Sequence, residues 1–92
     1  MSGIKFGPGS VVATPGVLEE FKKAGDDPQA YLIRHLTGDW GEVDREDWKA
    51  NDQSLVIGER LLSAYCMSNG TKFWIITERD RSYTTFLLPS EY

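Results

Sequence analysis

The chain has one cysteine, one histidine and no long hydrophobic run, and each scarcity closes off a class of protein. Cys66 alone cannot form an internal disulfide, and a single free thiol fits a reducing compartment, so the cytoplasm is the expected location. One Cys and one His cannot supply the ligand set of a structural zinc site. The acidic stretch from Asp44 to Glu59 lacks the central glycine and the spacing of a calcium loop. Gly7-Pro8-Gly9 lacks the Lys-Ser/Thr ending of a phosphate loop. No metal and no cofactor are therefore expected. Nothing approaches the ~18 consecutive apolar residues of a membrane span. The Gly-rich stretch from Met1 to Ser10 has no apolar core of a signal peptide, so no membrane partner is expected. Basic side chains are also in deficit. Lys and Arg number 10 against 14 Asp and Glu, a net charge of −4 and a pI of about 4.8, which argues against general nucleic-acid adhesion.

What is present suits one small domain. Ninety-two residues, 40% of them hydrophobic and 12% aromatic, can bury a single modest core. The charge is uneven: residues 1–59 carry six basic and eleven acidic side chains, and residues 60–92 carry four basic and three acidic ones. Met1 to Ser10, with Gly3, Gly7, Pro8 and Gly9, is expected to be mobile or irregular. Val11-Val12-Ala13 is a candidate short extended segment.

Three helix starts follow. Thr14-Pro15 offers an N-cap oxygen and a first-turn proline, Lys22 and Lys23 suit the helix end, and Gly25 stops it. Asp27-Pro28 repeats the signal, and a second helix is expected from Pro28 to Thr37, with Tyr31, Leu32, His35 and Leu36 on one face. Asp44 with Asp47 three residues on starts a third, running to Ile57 before Gly58, anchored by Trp48, Leu55 and Val56 and shallowly packed because 49–54 is polar. From Leu61 the period becomes two. Leu61 to Met67, Phe73 to Thr77 and Tyr83 to Leu88 read as strands, joined by an Asn69-Gly70 turn and a loop over Arg79 to Ser82. The expected fold is α+β, a single domain over 1–92. Two to three helices pack on one face of a three-stranded antiparallel meander, with the Val11 segment as a candidate extra strand.

A two-residue Asn-Gly turn would set Tyr65 opposite Trp74 and Cys66 opposite Phe73. The core face would then hold Leu62, Ala64, Cys66, Phe73, Ile75, Thr77, Thr84, Phe86 and Leu88. The other face would hold Tyr65, Trp74, Ile76, Tyr83, Thr85 and Leu87, too apolar for an ordinary wet face. Tyr65, Trp74 and Tyr83 are thus the candidate binding residues, with a protein partner or a second copy as the expected occupant.

The chemical candidates are fewer. His35 is the sole histidine and the natural acid/base, although a lone histidine at a helix end is more often held by the dipole and a nearby carbonyl. Arg79 and Arg81 flank Asp80 in a polar loop able to hold a phosphate, or to form a solvated hairpin tip. Trp40 and Trp48 read as core or rim anchors.

Several strings together carry a resemblance: Val12-Ala13-Thr14-Pro15-Gly16, Arg34-His35 with Gly38-Asp39-Trp40-Gly41, Trp74-Ile75-Ile76-Thr77-Glu78, Asp80-Arg81-Ser82, and Thr84-Thr85 with Leu87-Leu88-Pro89 and Tyr92. From Val11 to Tyr92 the chain resembles a family of small bacterial proteins found on chromosomes, plasmids and other mobile elements. Members of that family sometimes carry the label of a type I restriction enzyme modification subunit. A methyltransferase needs a far larger α/β cofactor domain, which this chain lacks. A more distant likeness is to the RelE, barnase and EndoU-like ribonucleases. By that likeness His35 would be the acid/base, Arg79 or Arg81 would hold the scissile phosphate, and Thr85 or Tyr65 would position it.

Three readings result. The first is a protein-interaction module without enzymatic activity. The second is a metal-independent ribonuclease or toxin-like domain using His35, Arg79, Arg81 and Thr85. The third is nucleic-acid binding through the sheet face. The residues alone leave open whether the protein is an enzyme.

Overall fold

The computed structural model describes residues 3–92, and Met1 and Ser2, the start of the segment expected to be mobile or irregular, lie outside them. The elements are β1 (Ser10–Ala13), α1 (Pro15–Ala24), α2 (Pro28–Leu36), α3 (Arg45–Ile57), β2 (Leu61–Cys66), β3 (Lys72–Thr77), β4 (Tyr83–Leu87) and a 3₁₀ turn (Pro89–Glu91). All three helices start as their caps dictate. The side chains of Thr14, Asp27 and Asp44 accept from the backbone N–H of Val17, Gln29 and Asp47. Gly25 and Gly58 end α1 and α3.

The fold is α+β, and its sheet differs from the expected three-stranded meander. It has four strands in the order β1-β4-β3-β2 and is mixed. Val11 to Ala13 belongs to β1, which runs parallel to β4 in the register Ser10↔Tyr83 to Ala13↔Phe86. A parallel neighbour requires a crossover, and here the three helices and the β2–β3 hairpin intervene.

The β2–β3 register also needs correcting. Tyr65 lies opposite Phe73 and Ala64 opposite Trp74. The reason is the loop. The N–H of Met67 donates to Thr71 C=O, and the N–H of Gly70 donates back to Met67 C=O, so Ser68, Asn69 and Gly70 form a three-residue loop with Gly70 left-handed at φ 89°. One extra loop residue slips the register by one and turns every β2 side chain over. Leu61, Ser63, Tyr65 and Met67 therefore face the helices, while Leu62, Ala64 and Cys66 face out. The faces of β3 and β4 are as expected: Phe73, Ile75 and Phe86 are buried in the core with Val17, Phe21, Tyr65 and Met67.

Each helix covers a different part of the sheet. α1 crosses the strand ends. At its start the Glu91 carboxylate bonds Thr14 Oγ1 and Gly16 N, and at its far end Thr71 and Ser68 bond Glu20 and Ala24 C=O. α2 runs along β2 and β3, placing Tyr31 against Tyr65 and Phe73, and His35 one turn on against Ser63 and Thr77. Along β2 the match is metric: the four helical residues from Tyr31 to His35 rise ~6 Å, and the two strand residues from Tyr65 to Ser63 span nearly the same distance.

α3 lies at the β2 edge. Its buried side chains are the polar Asn51 and Ser54. Val56, expected as an apolar anchor, is 87% exposed, because the helix closes an edge rather than covering a face.

Candidate functional site

The two edges of the sheet are treated very differently. At the β2 edge, the Asn51 amide acts as a short strand, donating to Leu62 C=O (2.8 Å) and accepting from Leu62 N–H (3.1 Å). Two residues on, Ala64 N–H donates to Trp40 C=O and Ala64 C=O accepts from Glu42 N–H. Cys66 C=O lies 3.3 Å from Tyr31 Oη, whose single proton goes first to the Asp26 carboxylate (2.7 Å). Trp40, fully buried, is itself fixed by Nε1–H donation to Asp52 (3.0 Å). The chain thus pairs this edge with itself.

The β1 edge has no such cover. Ser10 N–H donates to Ser82 C=O and Thr14 N–H to Phe86 C=O, so the even-numbered residues of β1 turn their backbone toward β4. The N–H and C=O of Val11 and Ala13 point the other way, and among the described residues nothing pairs with them. Val11 and Val12 are each nearly half exposed, as is Tyr83 beside Ser10.

The outer face joins the two edges. Ile76 and Leu87 are buried there, although no helix covers this side. The C-terminal residues do so instead: the Tyr92 ring meets Trp74 edge-on (5.6 Å), and Arg60 lies over Tyr92 (5.7 Å). A depression of about 280 Å³ remains, lined by Glu42, Ala64, Tyr65, Lys72, Trp74 and Pro89. On the same face the Cys66 thiol is pushed above its usual pKa, first by its hydrogen bond to the Glu42 carboxylate and then by desolvation. A thiol held protonated in this way is a poor nucleophile.

The expected binding residues divide. Trp74 and Tyr83 lie on the outer face, and Tyr65 does not. The register slip puts Tyr65 in the core at 2% exposure, with its hydroxyl donating to Asp39 C=O (2.6 Å). Burial pushes its phenol up to about 12.

The expected chemical residues are not brought together. His35 is fully buried on the inner face, while Thr85 is on the outer one. Arg79 is exposed at the loop tip, 3.8 Å from Glu59. Arg81 lies near the histidine, but its guanidinium donates to the C=O of Glu59 (2.6 Å), Ser54 (3.1 Å), Glu78 (3.2 Å) and Arg79 (3.4 Å). It closes the C-terminus of α3 and the 79–82 loop, and holds no free fork for a phosphate.

His35 belongs to a chain of hydrogen bonds that sequence reasoning did not single out. Nδ1 meets Ser63 Oγ (2.5 Å), Nε2 meets Thr77 Oγ1 (2.9 Å), Thr77 Oγ1 meets Thr84 Oγ1 (2.7 Å), and Thr84 Oγ1 donates to Pro8 C=O (2.8 Å). The carbonyl at the end accepts only, so the direction follows: Ser63 donates to Nδ1, Nε2–H donates to Thr77, Thr77 to Thr84, and Thr84 to Pro8. Burial pushes the His35 pKa down to about 3, with the Arg81 charge a second cause. Both nitrogens are occupied and the ring is neutral. The signal in the sequence was Thr77 and Thr84, two hydroxyls on the expected core face; Ser63 joins them only once the β2 register is corrected.

Compared with family models, with characterised proteins and with solved structures, the chain matches none. Among the described residues no group of His, Cys, Asp and Glu is placed to hold a metal ion, and no helix is long and apolar enough to cross a membrane.

Proposed function

We propose that the chain is a protein-interaction module that works by strand addition at β1, and that its partner is a second copy of itself. The observation that carries this reading is the asymmetry of the edges. The chain occupies its own β2 edge with Asn51, Trp40 and Glu42, and leaves β1 open beside exposed Val11, Val12 and Tyr83. An open apolar edge is a template for another strand, and natural sheets commonly blunt it with charge or cover. Ser10 to Ala13 carries no charge, so two copies meet there without repulsion.

Antiparallel self-pairing satisfies the strand completely. With a two-fold axis at Val12, Val11 of each copy exchanges N–H···O=C bonds with Ala13 of the other, and the two Val12 side chains meet on the outer face. The result is one eight-stranded sheet. A four-residue edge is a small interface, so the association is weak and concentration-dependent.

Sedimentation velocity over a wide concentration range tests this. The wild type is expected to shift from monomer toward dimer, and Val12→Lys to stay monomeric with its fold intact, because two lysines would face each other across the axis. A wild type that remains monomeric at the highest concentration would remove the second copy as partner. Dimers that persist in Val12→Lys would place the interface elsewhere.

A further inference from the structure

The interaction reading leaves the most deeply buried polar cluster unused. That cluster is sealed by a segment with little regular structure of its own. Residues 4–9 run over His35 before β1 begins, and three contacts hold them. Lys5 N–H donates to Leu36 C=O (2.8 Å) at the end of α2. Pro8 C=O accepts from Thr84 (2.8 Å). Between these, the Phe6 ring stands edge-on to His35 (5.3 Å), stacks on Trp40 (6.3 Å) and lies under the Arg81 guanidinium (5.6 Å). Ile4, Lys5, Gly7 and Gly9 are exposed, so the segment buries little besides Phe6 and Pro8. It contributes few buried contacts while covering a fully buried imidazole, which marks the low-stability end of a fold.

We propose that residues 4–9 form a strap that opens separately from the sheet, and that the opened form is the one in which His35 takes up a proton. In the closed form Nε2–H is donated to Thr77 and the Nδ1 lone pair accepts from Ser63, so a second ring proton would force the Ser63 hydroxyl to turn from donor to acceptor and would bury an uncompensated charge. Few charges surround the ring. From the 79–82 loop comes Arg81, which disfavours a second positive charge. From β2 comes the Tyr65 phenol, already bonded to Asp39 C=O. On α2 itself Arg34 is paired with Asp39 (2.9 Å). β3 and β4 present only hydroxyls, and Lys5 of the strap is exposed, with its stem lying over Gly38. Lifting the strap admits water to the ring and removes the Phe6 and Thr84–Pro8 contacts together.

The direction of the coupling follows. Closed, the His35 pKa is about 3, and open it returns toward the ordinary 6.5. Proton uptake therefore favours the open form as pH falls below 6.5, and the bias grows until pH reaches the closed-state value. Between pH 8 and pH 5 the opening constant rises ~30-fold.

Amide hydrogen exchange and the histidine NMR signal test this on the full chain, where His35 is the only histidine. The Lys5 amide is expected to open more readily than the sheet amide of Thr14, and its opening constant to rise ~30-fold from pH 8 to pH 5 after correction for intrinsic exchange. Two variants that leave the relay's own side chains in place should release the strap. In Gly9→Ala the new Cβ would collide with the backbone carbonyls of Arg81 and Ser82, and Phe6→Ala removes the central anchor. In either variant, with the sheet still protected, the His35 ring protons should titrate near 6.5. Lys5 and Thr14 amides opening with one common constant at every pH would overturn the proposal. So would folded Phe6→Ala and Gly9→Ala proteins in which His35 stays untitrated down to pH 5. If Gly9→Ala does not fold, Phe6→Ala alone decides.

Discussion

Individual side chains in this molecule are committed to backbone partners more than to one another. Arg81 is the clearest case. Its backbone is left-handed at φ 59°, a conformation uncommon for a residue with a side chain, and its guanidinium holds carbonyls of α3 and of its own loop. From sequence, Arg81 was readable as a surface cation for a phosphate. The carbonyls it ties together lie 22 and 27 residues away in the chain, which no local pattern announces. Arg81→Ala should lower stability by ~2–3 kcal/mol in urea denaturation, the range for losing charge-assisted bonds to buried acceptors. An unchanged midpoint would return Arg81 to the role of a surface cation. Thr77→Val tests the buried relay: the hydroxyl is both acceptor for Nε2–H and donor to Thr84, so its loss should destabilise by ~1–3 kcal/mol. The helical histidine was legible as structural, but its partners are hydroxyls from two strands rather than a helix-end carbonyl.

Among the elements, helices were legible because their signals are local. Thr14-Pro15, Asp27-Pro28 and Asp44 each start a helix where the capping chemistry requires. The sheet was legible only in part because pairing is decided at a distance. Asn69-Gly70 announces a hairpin, yet whether Ser68 joins the loop depends on contacts outside it. Here the N–H and Oγ of Ser68 both bond the Asp26 carboxylate, between α1 and α2, which holds that carboxyl below its usual range. One residue of loop length then moved Tyr65 from candidate binding surface to core. The Val11 segment was legible as a candidate strand, but its place was not, since a four-residue strand that pairs in parallel with β4 has no turn to announce its neighbour. The β2 edge depends on one amide. Asn51→Leu keeps the branching at Cγ and removes the donor and acceptor, so stability should fall by ~1–3 kcal/mol. Its test includes light scattering, since a second bare edge should also promote aggregation. Unchanged stability and solubility would mean that Asn51 does not guard the edge.

For the whole molecule, pH and self-association are the two handles. His35 binds a proton with a pKa of about 3 when folded and near 6.5 when unfolded. The unfolded state therefore takes the proton first as pH falls. Stability from this residue is complete above pH 6.5 and declines by ~1.4 kcal/mol per pH unit below it. Asp26 and Asp39, lowered chiefly by bonds to Ser68 and Arg34, add their own loss only in the carboxylate range. Urea unfolding at pH 7 and 5.5 should show the His35 slope, and His35→Gln should flatten it whatever its absolute stability. The measurement that bears most directly on the proposed function is the protection of the Val11 and Ala13 amides followed by NMR as concentration is raised. Both are expected to gain protection together with a doubling of mass, while the amides of Leu62 and Ala64, already bonded within the chain, stay unchanged. Val11 and Ala13 amides that remain open at every concentration, or a mass that doubles without protecting them, would contradict the assignment of β1 as the docking edge.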